Sequence, residues 1–337
     1  MKMKRLLLFA FAFTLAVTVM AQPPANYYNS ANGLTGDQLK VALHNIIKGH
    51  SSISYSQIWN AFWSTDNKGN GVVWDMYSDR PNGNPPYTYY LGQDQCGSYN
   101  GEGDCYNREH SWPSSWFSDQ STPRTDMHHI FATDGYVNNK RGNYPFGEVQ
   151  SASWTSQNGS KLGSCKTPGY NGTVFEPIDE YKGDFARAIM YMSVRYYSED
   201  SGWSNSDMTT KSVIKPWAIT MLLRWNAADP VSQKEIDRNN AIYNDYQHNR
   251  NPFVDHPEYA DMIWDPSWGV VDHFLPNDLK ANRVVVYDLI GRILLQTGID
   301  SEDEIESLLK EKLHQGCYLI QYQDGNRLIK TRKLLVN

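Results

Sequence analysis

The stretch Cys105–Val149 reads CYNREHSWPSSWFSDQSTPRTDMHHIFATDGYVNNKRGNYPFGEV. Its polar side chains are of few types and closely spaced. Glu109 and His110 are adjacent, Asp126, His128 and His129 follow, and Asn138 and Arg141 come last. Asn107 to Ser111 reads as extended chain, ended by Pro113. Ser118 to Arg124 is a polar loop, and Thr125 to Ile130 is expected to form a second strand. Asp134 suits the N-cap of a helix of about two turns, and Gly142 suits its close. The unit is therefore strand, loop, strand, helix. Asn138 and Arg141 stand three apart, so they share a helix face and can address one ligand. Glu109 and His110 are strand neighbours and should point to opposite faces. They serve one site only if the strand bulges or ends there.

This set of side chains suits phosphodiester hydrolysis. The reaction needs water deprotonated and aimed in line, and the charge growing on the phosphoryl and leaving oxygens neutralised. A hard cation such as Mg²⁺ prefers oxygen ligands, keeps several waters and needs only one or two protein groups. Glu109 and Asn138 supply a carboxylate and an amide oxygen. A histidine does the proton work, and His110 is the candidate. The bland alternatives are an ordinary surface Glu-His pair, a strand that puts one of His128 and His129 inside, and an exposed helix at Asn138. Three histidines in the window also leave a Zn²⁺ hydrolase open, although no H-E-x-x-H or Cys-x-x-Cys spacing occurs.

The whole chain has 337 residues, 40% of them hydrophobic, which is enough for one large domain or two of ordinary size. Lys2, Lys4 and Arg5 precede the apolar run Leu6 to Val19, which at about 14 residues is short for a membrane span. Small or β-branched residues at Val19 and Ala21 predict cleavage after Ala21. Loss of the three basic residues takes the formal charge from −6 to −9. An acidic protein attracts nucleic acid poorly in bulk, so a bound cation and a local basic groove would have to supply the attraction. Export permits disulfides. Cys96 with Cys105, or Cys105 with Cys165, would brace the strand carrying Glu109, and sequence leaves both open. Cys317 is expected as a buried free thiol.

Upstream, Thr35 to Gln38 resembles a capping box ahead of a helical stripe (Leu39, Ala42, Leu43, Ile46, Ile47), with Gly49 beyond its end. Ser54 to Phe62 reads as a helix and Val72 to Tyr77 as a strand. Gln150 to Gly172 reads as a long surface loop. Helices are expected over Ile178 to Tyr197, over Lys215 to Trp225, and from an Asp229 cap with Pro230 at N1 to about His248. After about Trp268 the composition shifts. Arg283 to Asp288, Arg292 to Thr297, Cys317 to Gln323 and Arg327 to Val336 read as strands.

Taken together, the blocks N-R-E-H-S-W-P-x-S-W-F, D-M-H-H-I and V-N-N-K-R-G-N-Y-P-F-G resemble the secreted endonuclease I family, whose core is the ββα-metal fold. The likeness continues through Val174–Pro177, Lys182–Arg187, Leu223 to Asp229 and Gln247–Phe253, covering about Gln38 to Tyr259. It implies His110 as general base, Glu109 and Asn138 as ligands of one divalent ion (Mg²⁺, Mn²⁺ or Ca²⁺), and Arg141 and Arg124 as phosphate contacts. Asp126, His128 and His129 would support them. It also implies a largely sequence-nonspecific enzyme cutting DNA, and often RNA, to 5′-phosphate products. Val284–Arg292, Gly316–Ile320 and a basic end at Lys330, Arg332 and Lys333 resemble a type IX secretion sorting domain, although the usual P-N-P opening is Pro276-Asn277-Asp278 here.

The expected fold class is α+β: a ββα-metal nuclease core within a mainly helical domain, then a small all-β C-terminal module. The expected divisions are a signal peptide at 1–21, the nuclease-like domain at 22–268 and the sorting module at 276–337. The expected partners are DNA, with RNA as a further substrate, and the secretion machinery, without stable membrane insertion. Two other readings compete: a surface binding protein for nucleic acid or glycan on an inactive nuclease scaffold, and a metal phosphodiesterase for small esters.

Overall fold

The structure, a computed structural model, describes residues 23–265, 282–287, 292–298, 312–313, 316–324 and 327–336. The expected signal peptide and the stretch 269–275 between the two expected domains lie outside these. The described chain is α+β.

The helix Lys182–Arg195 is the axis of the main body. Every residue from Gly183 to Arg195 is buried. Its apolar side chains Phe185, Ile189, Met192 and Val194 sit in the largest apolar cluster, together with Leu39 and Leu43 of the helix Gly36–Ile47 and Met221 and Leu222 of the helix Pro216–Ala228. A helix buried on all sides must also satisfy its charges. Arg187 does so with Glu235, Nη2 to Oε2 at 2.9 Å, and Asp184 accepts from Lys234 Nζ at 2.6 Å. Both partners belong to the helix Gln233–Ala241. That helix begins later than expected. Ser232 and Glu235 form a reciprocal capping box, while the Asp229 carboxylate accepts from Gly183 N instead. Beyond it, Ile242–Gln247 is a π-helical turn, ended by His248 in the left-handed conformation.

The strand Tyr106–His110 pairs antiparallel with Ile130–Asp134, with Glu109 opposite Phe131 and His110 opposite Ile130. The helix Gly135–Arg141 follows directly. Asp134 caps it, Oδ1 accepting from Val137 N at 2.7 Å, and Gly142 closes it at φ 53°. The second strand starts later than expected because Met127–His129 forms a 3₁₀ turn, capped by the Asp126 side chain. The expected polar loop contains the short helix Ser121–Arg124.

Residues 150–172 are not a loop. Val149–Thr155, Lys161–Cys165 and Thr173–Glu176 form a three-stranded antiparallel sheet. The expected strand at 72–77 is reduced to Val72–Val73. Cys96 and Cys105 are bonded, which resolves the pairing, and Cys165 is a buried free thiol. The bond anchors the entry to the strand Tyr106–His110. The side chain of Cys317 lies outside the described residues.

In the C-terminal part, Arg283–Tyr287, Ile293–Gly298, Gly316–Asp324 and Arg327–Val336 form an antiparallel four-stranded sheet. Val284, Val286, Tyr318, Ile320 and Tyr322 make a separate apolar cluster. Among the described residues, no helix is long and apolar enough to cross a membrane.

Candidate active site

The strand Tyr106–His110 has two faces, and its period of two sorts its residues between them. Asn107 and Glu109 turn toward the helix Gly135–Arg141. The Glu109 carboxylate is 2% exposed. Its Oε1 accepts from Tyr77 Oη at 2.8 Å and from Arg141 Nη1 at 3.0 Å. Burial raises the Glu109 pKa, to about 7, against the opposing pull of Arg141 and the Tyr77 hydrogen bond. Asn138, half-buried on the helix, donates Nδ2 to Asn107 Oδ1 at 2.7 Å.

Arg141 sits differently from expectation. It is 1% exposed. Besides Glu109 it donates to the carbonyls of His110 (2.9 Å) and Ser111 (2.6 Å), and its guanidinium lies 4.6 Å from the Phe146 ring centroid. A buried cation with these partners is committed to holding the strand end and the Glu109 carboxylate. Asn138 and Arg141 do share a flank of the helix, but that flank meets the strand.

Arg108 and His110 turn the other way. His110 is half-buried. Its Nε2 lies 3.0 Å from the Arg124 carbonyl oxygen. A carbonyl only accepts, so Nε2 carries the proton and Nδ1 keeps its lone pair. The ring packs among Tyr55 (6.0 Å between centroids, 18° between planes), Phe117 (6.0 Å) and His129 (5.4 Å). Burial, and then the His129 ring, lower its pKa and favour the neutral form.

The Arg124 guanidinium is exposed and lies 4.7 Å from the Tyr55 centroid. Arg108 lies 3.6 Å from the same ring and 4.3 Å from that of Trp59, with Nη1 donating to the Tyr55 carbonyl at 2.7 Å. Two cations therefore stand beside His110 in an otherwise acidic protein.

Asp126, His128 and His129 are all buried, and they build the floor under this face. Asp126 Oδ2 accepts from Tyr191 (2.8 Å) and Tyr196 (3.0 Å), and Oδ1 accepts from His128 N and Gln247 Nε2. Burial alone would raise its pKa. The nearby His50, His128 and His129 and the Gln247 bond outweigh it and hold the carboxyl below the usual range. His128 donates to the Asn249 carbonyl and His129 to that of Pro123. All three are held by protein partners, and they fix the turn that delivers His129 to His110. The bland expectation of one ring inside and one out also fails, because both lie in the 3₁₀ turn.

Asn107, Arg108, Tyr55 and Tyr77 of this site were not singled out from sequence. Asn107 and Arg108 lie inside the N-R-E-H block, and the period of two assigns Asn107 to the Glu109 face and Arg108 to the His110 face. Tyr77 comes from a distant segment and carries no local signal.

Among the described residues, no group of three or more His, Cys, Asp or Glu side chains is placed to hold a metal ion. The oxygen donors offered here are fewer and harder. Both hydrogen bonds to the Glu109 carboxylate land on Oε1, and Asn138 donates Nδ2 to Asn107. A carboxylate and an amide oxygen fit a hard divalent cation that keeps most of its waters.

Strand, strand and helix thus carry a hydrogen-bond-oriented histidine and a paired carboxylate in one short unit. Comparison with known families matches residues 35–258 to Endonuclease I and residues 270–337 to a secretion system C-terminal sorting domain. The chain is 42% identical over 259 residues to an extracellular ribonuclease of Bacillus amyloliquefaciens, spanning 74% of this chain and 81% of that protein. It is 40% identical over 263 residues to an extracellular ribonuclease of Bacillus subtilis (strain 168), spanning 74% and 83%. The chain belongs to the Endonuclease I family. It is a nuclease, and it is exported, to the medium or to the cell surface.

Proposed function

We propose that the chain is a divalent-metal-dependent, largely sequence-nonspecific endonuclease that hydrolyses RNA and DNA to 5′-phosphate products through a ββα-metal core. The reading of RNA as substrate is supported by the two relatives named extracellular ribonuclease. Glu109, through Oε2, and Asn138, through Oδ1, would hold Mg²⁺ or a similar ion. When bound, such an ion neutralises charge on the phosphoryl and leaving oxygens.

The protein's own groups do the rest. His110 takes a proton from water at Nδ1, while its Nε2–H bond to the Arg124 carbonyl keeps the ring aimed. Arg124 balances phosphate charge from the exposed side. Arg141 serves the phosphate only indirectly, by fixing Glu109 and the strand end. The single observation that carries this reading is the His110 bond to the Arg124 carbonyl, which leaves Nδ1 as the free base. The C-terminal module acts as the export address, recognised by the secretion machinery. The test is digestion of plasmid and of total RNA with and without EDTA. Both should be cut with Mg²⁺, ending in 5′-phosphates. Cleavage indifferent to chelator, or full activity in His110→Ala, would overturn the reading.

A further inference from the structure

Beside His110 the surface opens into a cleft of about 350 Å³. Its walls come from two segments distant in sequence, 52–55 and 119–125. Ile53 and the Tyr55 ring give it an apolar side. Ser52, Ser54, Ser121 and Thr122 give it hydroxyls. Arg124 supplies a cation, and Asp119 stands across the rim as a carboxylate. Tyr55 joins the cleft to the chemistry, since its ring lies nearly parallel to that of His110 and carries the guanidiniums of Arg108 and Arg124.

Both walls are tied down by the protein itself. Arg108 holds the Tyr55 carbonyl, and Ser54 N donates to Gln57 Oε1 at 2.7 Å. On the other side Ser118 Oγ donates to the Gly202 carbonyl at 2.8 Å, and Gln120 Nε2 to the Ser201 carbonyl at 2.7 Å. Ser118 and Asp119 are consecutive left-handed residues, φ 54° and 52°. Non-glycine residues hold that conformation only where neighbours enforce it. The cleft is thus shaped in advance, which reduces the entropy lost on binding.

We infer that this cleft is a nucleoside subsite: it takes the unpaired base and sugar next to the phosphate addressed by His110, and so makes the enzyme prefer single-stranded nucleic acid. This rests on the hydrolytic reading above. A planar base suits the apolar side, a hydroxylated sugar suits the serine and threonine rim, and Arg124 suits a flanking phosphate. The volume falls in the range of small-ligand sites. A base held in a duplex is paired and stacked, and cannot enter without being extruded.

The test fills the cleft from its rim with Thr122→Trp and, separately, Ser52→Trp. Both positions are exposed, so neither change disturbs a packed core. Binding of a 5′-fluorescein-labelled single-stranded RNA 12-mer is read by anisotropy in EDTA. Cleavage of that oligonucleotide, of its annealed duplex and of bis-p-nitrophenyl phosphate is read with Mg²⁺. The expected result is about tenfold weaker oligonucleotide binding and cleavage in both variants, a single-strand preference that falls toward the duplex rate, and small-ester hydrolysis within about twofold of the parent. Unchanged oligonucleotide binding in both tryptophan variants, or equal loss of small-ester hydrolysis, would overturn the subsite. A parent that binds the 12-mer through the cleft but cuts nothing with Mg²⁺ would retain the subsite and sink the hydrolytic reading.

Discussion

The two faces of the strand Tyr106–His110 are built to opposite ends. The Asn107–Glu109 face packs on the helix Gly135–Arg141, with the Glu109 charge compensated by Arg141 and Tyr77 and with Asn107 and Asn138 half-buried at its edge. The Arg108–His110 face is open, with its cations resting on Tyr55 at the edge of a cleft. A pleated strand separates neighbours by geometry alone. One face can therefore hold charge rigidly while the other handles a proton in reach of solvent. Arg141 links the two, bonding the Glu109 carboxylate and the His110 carbonyl with one nitrogen.

If the faces have these separate jobs, His110→Ala should lower turnover by roughly 10²–10⁴-fold and leave the melting temperature nearly unchanged. A matching fall in stability would mean the ring is mainly structural. Arg141→Met should act in the opposite sense. It leaves a buried carboxylate unpaired and two carbonyls unsatisfied, at a cost of about 3–5 kcal/mol, read by urea unfolding. A stable but inactive Arg141→Met would return that residue to direct phosphate contact.

Asp126→Asn probes the floor under His110, and its effect should depend on pH. The folded-state pKa of Asp126 is held down, so its contribution is present above the unfolded value of about 4 and is lost as acid protonates the folded carboxylate. The substitution should cost about 2–3 kcal/mol at pH 7, and the two melting curves should converge as pH falls. A constant difference at all pH values would show that the charge of Asp126 is immaterial. The smallest effect is expected from Tyr55→Leu, which removes the stacking surface of both arginines. About 1 kcal/mol of transition-state binding should disappear, seen as a fewfold fall in kcat/KM with stability kept.

How far the sequence carries this account varies with the kind of interaction involved. Local signals read through well. The Asp134 cap, Gly142 and the placing of Pro113 delimit the helix and strand close to where they lie, because each acts within a few residues. The family blocks put Glu109 and Asn138 on a strand and a helix that do meet, through the Asn138–Asn107 hydrogen bond. Signals that depend on distant partners did not read through. Arg141 looks like a free cation until Glu109 and two carbonyls surround it. Asp126 looks like part of a site until Tyr191, Tyr196 and Gln247 claim its oxygens. The sheet at 149–176 is Ser- and Gly-rich because it is largely exposed, and at Gly163 a Cβ would stand 2.1 Å from the Ser151 carbonyl oxygen. Such close pairing selects the residues that otherwise mark loops.

The central claim is the division of labour across the strand, and Mn²⁺ binding followed by calorimetry tests it most directly. Parent and His110→Ala proteins should bind one ion with similar affinity although the variant is inactive, while Glu109→Gln and Asn138→Ala should each bind at least tenfold more weakly. Loss of metal binding in His110→Ala, or parent-like binding in Glu109→Gln, would contradict the account.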